Sequence, residues 1–213
     1  MKLGEIKLES LMMIYPGEVF NVDFDNLDSA MQVLKNDPNF ADYLANMPGI
    51  INRCFGLLEQ RGVLPNKQVE LTVAEGENIG PYLRYKVDEK IKDLGTLEKV
   101  IYTNGAIYKD MCDYRRQSQS KILVPFNEQG KYIFVYTPKI QRISVLTGES
   151  TEILEGKDDI ASLIPYFVKS ELLAIEHPND AQMARSLFEQ GVESLASHRE
   201  SYQSSVETVY TVD

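Results

Sequence analysis

QVELTVA, residues 68–74, sets Val69, Leu71 and Val73 in strict alternation with polar neighbours. A period of two is the signature of a half-buried β-strand, because successive side chains of a strand point to opposite faces. Similar short β-rich runs recur downstream in LEKVIYTN (97–104), GAIYKDM (105–111), SKILVPF (120–126) and KYIFVYTP (131–138). Turn signals separate these runs, chiefly Asn104–Gly105 and Glu128–Gln129–Gly130. Asn-Gly between two β-rich runs is a strong hairpin signal, since both residues accept positive φ. No helical pattern intervenes between the runs, so the strands are expected to be antiparallel, in a sandwich or a small barrel.

Outward from this centre the period changes to that of a helix on both sides. Upstream, Leu27, Ala30, Met31 and Leu34 share one helical face, with Asn26 or Asp28 placed as N-cap. A second apolar series runs through Phe40, Tyr43, Leu44, Met47, Ile51, Cys54, Phe55 and Leu58. Pro48–Gly49 interrupts it, which predicts two shorter helices or one sharply kinked helix, and Gly62 and Pro65 end the series. Downstream, Ile160, Leu163, Ile164, Phe167, Val168, Leu172 and Ile175 form one face, with Pro165 marking a kink or a helix start. The turn His177–Pro178–Asn179–Asp180 leads to a further helix with Ala184, Leu187, Phe188, Val192 and Leu195 on its face, predicting an αα-hairpin.

The expected class is therefore α+β: N- and C-terminal helices forming one helical body (1–65 plus 156–197), an inserted antiparallel β-sandwich or small barrel (66–155), and a flexible polar tail (198–213).

The 213 residues suffice for one large domain or two small ones, and 43% apolar with 25% charged residues is ordinary for a globular chain. No run approaches the roughly 20 apolar residues of a membrane span, and Glu5 and Glu9 break up any secretory leader at the N-terminus, so a protein that stays inside its cell of origin is expected. The two cysteines, Cys54 and Cys112, read as small apolar side chains and not as a disulfide framework. A formal charge of −10, with no basic cluster larger than Arg115–Arg116, speaks against gripping nucleic acid through its phosphates.

The search for chemistry yields no constellation. The two histidines, His177 and His198, stand without partners at ligand or triad spacing. Asp23-Phe-Asp25-Asn-Leu-Asp28 resembles the start of a calcium loop, but Asp28 sits where that loop needs glycine and Leu34 where it needs glutamate. A solvated loop entering a capped helix explains the run better. Neither a phosphate-binding glycine pattern nor a Gly-x-Ser-x-Gly elbow occurs. A non-enzymatic protein without cofactor or metal is expected. Twelve tyrosines and eight phenylalanines without tryptophan suit either ordinary strands or an interface.

Two stretches carry a resemblance: NFADYLANMPGIINRCFGLLEQRGVLP (39–65) and LIPYFVKSELLAIEHPNDAQMARSLFEQGVESL (163–195). In the second, Ile164-Pro165-Tyr166-Phe167 opens a helix, a turn spans Glu176 to Pro178, and an alanine-bearing helix with Phe188 and Glu189 follows. This resembles the C-terminal helical hairpin of head–tail connector (adaptor, neck) proteins of tailed bacteriophages and prophages, and the first stretch is similar to a helical segment of related prophage proteins.

The resemblance implies a virion structural protein that docks under the portal, assembles into a ring (a dodecamer in many such adaptors), extends the DNA channel and receives tail proteins. DNA would pass without sequence-specific binding, and the protein would be found in the virion and, during assembly, in the host cytoplasm. Candidate partner contacts are Tyr166, Phe167 and Phe188, each of which also fits the core of its own chain. The alternative is a phage tail or host-surface binding module that uses the β domain.

Overall fold

A computed structural model describes residues 1–18, 20, 25–118, 120–126 and 130–207. In chain order the first elements are the helices α1 (Leu3–Ile14), α2 (Leu27–Asn36) and α3 (Ala41–Gln60). The β region follows with β1 (Lys67–Thr72), β2 (Glu77–Ile79), β3 (Tyr82–Lys86), the one-turn helix α4 (Val87–Lys90), β4 (Leu94–Thr103), β5 (Tyr108–Asp110), β6 (Arg115–Ser118), β7 (Lys121–Pro125) and β8 (Lys131–Pro138). The helices α5 (Asp158–Ala161), α6 (Ile164–Leu172) and α7 (Pro178–Glu207) complete the chain. The class is α+β. Two compact units form, one from Met1–Val63 with Arg142–Asp213 and one from Leu64–Gln141.

The β unit holds two four-stranded antiparallel sheets, ordered β1-β8-β4-β5 and β2-β3-β7-β6. Both contribute to one buried cluster: Leu71, Val100, Tyr132 and Phe134 from the first sheet, Leu83, Tyr85, Ile122 and Val124 from the second. Tyr85 packs edge-on against Tyr132 and Phe134, with ring centroids 5.8 and 5.5 Å away. Its hydroxyl donates to the Thr72 carbonyl at 2.9 Å, and the Tyr136 hydroxyl donates to Asp93 Oδ1 at 3.0 Å. These tyrosines are core residues whose polar ends find partners, as burial requires.

The hairpin expected at Asn104–Gly105 forms between β4 and β5. It closes through a four-residue loop in which Gly105 takes φ 91° and Asn104 Oδ1 accepts from the amides of Ala106 and Ile107. Gly130, at φ 111°, precedes β8 where a Cβ would stand 2.5 Å from the Thr103 carbonyl oxygen, so only glycine fits. Strands β2 and β6 were not expected: their residues are all exposed and β6 reads Arg-Arg-Gln-Ser, so no apolar alternation marks them.

In the helical unit Asn26 caps α2, its Oδ1 accepting from the Ser29 amide at 3.1 Å, and Leu27, Ala30, Met31 and Leu34 are buried as their spacing requires. Of the two outcomes expected at Pro48, two helices or one kinked helix, the division does not occur: α3 is one helix of 20 residues with Pro48 inside it. An internal proline costs about 3 kcal/mol. Here Leu44, Met47, Ile50, Ile51, Cys54 and Phe55 are buried on either side of it, and the tertiary burial of that face offsets the lost bond. Pro165 stands in the first turn of α6, where its missing amide is harmless. Ile175, expected on the buried face, is 93% exposed because α6 ends at Leu172 and the chain turns before α7.

Two expected boundaries shift. The polar residues 198–207 continue α7 instead of leaving it, since extending an existing helix is easy where neither Gly nor Pro interrupts it. The remainder of the expected tail, 208–213, lies outside the described residues. Residues 142–155 belong to the helical unit, not to the β unit. Asn52 of α3 brackets Ile143, accepting from its amide at 2.9 Å and donating to its carbonyl at 2.8 Å. Further on, Glu149 accepts from Lys7 Nζ on both oxygens at 2.8 and 2.9 Å, and from Lys35 Nζ at 2.9 Å.

The Glu149 and Lys7 side chains are only 7% and 5% exposed. Burial pushes the Lys7 ammonium below the ordinary lysine range, and the hydrogen bond and charge of Glu149 oppose that shift. The segment is sewn down further by backbone bonds from Leu3 to Thr151 (2.9 Å) and from Gly4 to Glu149 (2.8 Å). Asp28 takes the Glu149 amide at 3.1 Å and the Ser150 hydroxyl at 3.0 Å. Asp28 thus serves this segment, a strap of residues 142–155 across the helical unit, while Asp23 of the calcium-like run lies outside the described residues.

Two outcomes follow for stability. Glu149→Ala strands the Lys7 charge in the interior and lowers unfolding free energy by about 3–5 kcal/mol, while Lys7→Met with Glu149→Leu recovers most of that loss, both read from urea midpoints. In the β unit Glu75 accepts from Lys90 at 2.9 Å and from the Thr72 amide at 2.8 Å, and these bonds hold its carboxyl down from 4.5 to about 2. Its contribution is full above the ordinary carboxylate range and lost as pH falls through about 2. The gap in urea midpoint between the wild type and Glu75→Gln is therefore expected to narrow from pH 7 to pH 2.5; a constant gap would refute the assignment.

Candidate assembly surface on the terminal helical hairpin

The hairpin of α6 and α7 is the segment that carries the resemblance and all three candidate contact residues. Its sequence builds the turn directly: α6 stops at Leu172, the His177 amide closes back on the Leu173 carbonyl at 2.9 Å, and Pro178 begins α7. Ala184, Phe188 and Val192 then recur at helical spacing and are buried. At Gly191 a Cβ would overlap Leu163, so the glycine permits close approach of α7 to the chain entering α6.

The structure separates the three candidates. Phe167 is 2% exposed and Phe188 1%, and their rings pack against each other at a 58° tilt with centroids 5.1 Å apart. Both are interior side chains that seal α6 to α7, which corrects their reading as partner contacts: a ring held on all sides in its own unit has no face left to offer. Tyr166 is half-buried. It lines a groove of about 230 Å³ together with Met13, Lys169, Asp180, Met183 and Leu187. Met183 is 68% exposed and Leu187 43%. Leu187 was expected inside with Phe188; one residue earlier in a helix is a rotation of about 100°, enough to turn it out.

The interior side of the hairpin is fastened by charge. The Arg185 guanidinium lies 4.8 Å from the Phe167 ring centroid and 5.6 Å from that of Phe188. It pairs with Glu189 at 3.0 Å and with Glu171 at 3.7 Å. Arg53 of α3 reaches Glu171 at 2.8 Å, and Arg61 reaches Glu189 at 3.4 Å. The ion pairs thus join α3, α6 and α7, while the groove is left with a mainly apolar lining and one side chain of each sign.

Chemistry elsewhere is sparse. Among the described residues no three His, Cys, Asp or Glu side chains converge to hold a metal ion. No described helix is long and apolar enough to cross a membrane. His177 is exposed in the turn between α6 and α7. A hollow of about 300 Å³ in the β unit is bordered by Leu71, the ion pairs Glu75–Lys90 and Glu77–Arg84, and Lys86 with Glu89. A second, of about 420 Å³, lies between Pro81, Tyr82, Cys112, Tyr114 and Arg115. Its Arg115 guanidinium stands 5.5 Å from the Tyr82 ring centroid.

Cys54 reports on the packing beneath the hairpin, since burial raises its thiol to about 12 whereas Cys112 is exposed. A thiol reagent at pH 8 is expected to modify Cys112 quickly and Cys54 only after denaturation. Rapid modification of both in the native protein would contradict this packing.

No family model matches the chain, and no curated protein matches it, so what this surface does is inferred from its own geometry and from the resemblance of residues 39–65 and 163–195.

Proposed function

We propose that the chain is a structural protein of a tailed-phage or prophage virion, a head–tail connector that docks under the portal, self-associates into a ring and extends the DNA channel toward the tail. The observation that carries this reading is the apolar groove beside Tyr166, Met183 and Leu187, which lies on the helical hairpin that resembles that of connectors. Exposed methionine and leucine beside a half-buried tyrosine suit a protein contact: they offer apolar area, and methionine adapts its shape to a partner. The chain order fits as well, with N- and C-terminal helices in one unit and a β unit inserted between them. A net charge of −10 suits a channel wall along which DNA slides without adhering. In this reading the protein performs no catalysis and carries no cofactor.

A second reading, a tail or host-surface binding module, draws on the β unit. The tip between β4 and β5 exposes Ile107 (61%) and Tyr108 (64%), a compact apolar pair on a hairpin. Native mass spectrometry of the purified chain, alone and with tailed-phage portal proteins, separates the two. The connector reading expects a portal-bound assembly of many copies that Met183→Asp disrupts. A chain that stays monomeric with every portal tested, while Tyr108→Ala abolishes adhesion to host cells, would replace it with the second reading.

A further inference from the structure

Between its two anchors the strap of the helical unit carries an apolar knob. Val145 is 86% exposed and Leu146 91%, the highest values of any large apolar residues described in this unit apart from Ile175. They are not on a loose loop. The Ser144 amide donates to Thr147 Oγ1 at 2.9 Å, the Thr147 amide to the Ser144 carbonyl at 3.0 Å, and the Leu146 amide to Ser144 Oγ at 3.2 Å. One side of this turn is held at Ile143 by Asn52, and the other at Glu149 by Lys7, Lys35 and Asp28. A turn fastened in this way presents two aliphatic side chains with little ordering left to lose on contact.

We infer that Val145 and Leu146 of one copy insert into the groove lined by Met13, Tyr166, Met183 and Leu187 of the next copy. Three observations carry this. The knob, Ser144 to Gly148, has no charged side chain, and the groove brings one lysine and one aspartate, Lys169 and Asp180, so an uncharged apolar occupant matches it better than an acidic or basic one. The groove, at about 230 Å³, is large enough for two aliphatic side chains and too small for a helix.

The third observation is placement. Gly4 of α1 abuts Glu149 on the strap, where a Cβ would lie 3.3 Å from that of Glu149, whereas Met13 of the same helix lines the groove. From residue 4 to residue 13 a helix turns about 900°, two and a half turns, and rises roughly 13.5 Å. Strap and groove therefore face opposite sides of α1, and the knob is not among the residues that line the groove of its own chain.

A contact between different patches on successive copies is heterologous, and repeats until it closes into a ring or extends as a filament. Two aliphatic side chains bury on the order of 200 Å² at this contact, far below the roughly 1,200 Å² of a stable standard interface. At −10 per copy, charge repulsion opposes it further at low salt. The contact is thus weak between isolated copies and takes hold when they are concentrated or templated. It rests on the assembly reading and specifies which patches meet.

Cross-linking tests it with the full chain, in a Cys112→Ser background where the remaining native thiol, Cys54, is buried. Leu146→Cys and Met183→Cys are made singly and together, and oxidised at high protein concentration with and without added salt. The double variant is expected to yield a ladder of covalent multimers that salt strengthens, and a mixture of the two single variants a disulfide-linked heterodimer. Leu187→Asp added to the double variant is expected to lower the cross-linked fraction at least about tenfold. Absence of a ladder at every concentration and salt, or cross-links confined to like pairs such as Leu146–Leu146, overturns the contact. Portal-bound rings that form without this ladder would refute the contact and leave the assembly reading intact; a ladder from a chain that never engages a portal would do the reverse.

Discussion

The buried pair of Glu149 with Lys7 holds the helical unit in register. Glu149 lies on a segment that returns from the β unit, and its partners lie on α1 and α2, more than a hundred residues earlier in the chain. A carboxylate and an ammonium taken out of water cost several kcal/mol each, and are tolerated only where each neutralises the other and the remaining hydrogen bonds are met. Both oxygens of Glu149 are engaged here, and the backbone around it is bonded to Leu3, Gly4 and Asp28. Any other register of the strap would leave a charge unpaired in the interior. The pair therefore acts more as a specification of geometry than as a source of net stability.

From that register the rest of the unit follows. The strap lies against the first turn of α1, which leaves the C-terminal end of the same helix to border the groove with α6 and α7. The hairpin is closed on its inner side by the Phe167–Phe188 contact and by the arginine and glutamate pairs that reach to α3. Most of these pairs are partly exposed, so each one is worth little alone. Their joint effect is to orient a hairpin whose apolar seal is already made. Charge is spent on the inner side and the outer side keeps Met183 and Leu187 in solvent, a distribution that favours contact with protein over contact with a charged ligand.

The β unit is organised by a different principle. Its core is shared by two sheets and is rich in tyrosine, and the hydroxyls of Tyr85, Tyr132 and Tyr136 all find acceptors at the margin of that core. The interior role accounts for Tyr85, Tyr132 and Tyr136, three of the twelve tyrosines of a composition that by itself suits an interface as well as a sheet. Tyr108 stands apart, exposed on the β4–β5 tip next to Ile107.

The alternation of Val69 with Leu71, the short apolar runs of β4, β7 and β8 and the lack of any helical pattern between them were enough to establish an antiparallel β region, because strand character is set by local geometry and composition. The helices α2, α3, α6 and α7 were equally legible in the three-and-four spacing of their buried residues. The edge strands β2 and β6, whose residues are all exposed, left no such trace. The sequence also left open whether α3 divides or continues at Pro48, since the outcome depends on how far burial of its apolar face outweighs the local penalty. The site divides the same way. Spacing marked the terminal hairpin as a pair of helices and the resemblance singled it out as a contact surface, but neither told which of its aromatic rings face inward, because adjacent apolar positions on a helix look alike until a partner helix covers one of them. The strap had no sequence signature at all: Glu149 reads as a surface residue, and only the arrival of Lys7 and Lys35 from the other end of the chain makes it an interior one.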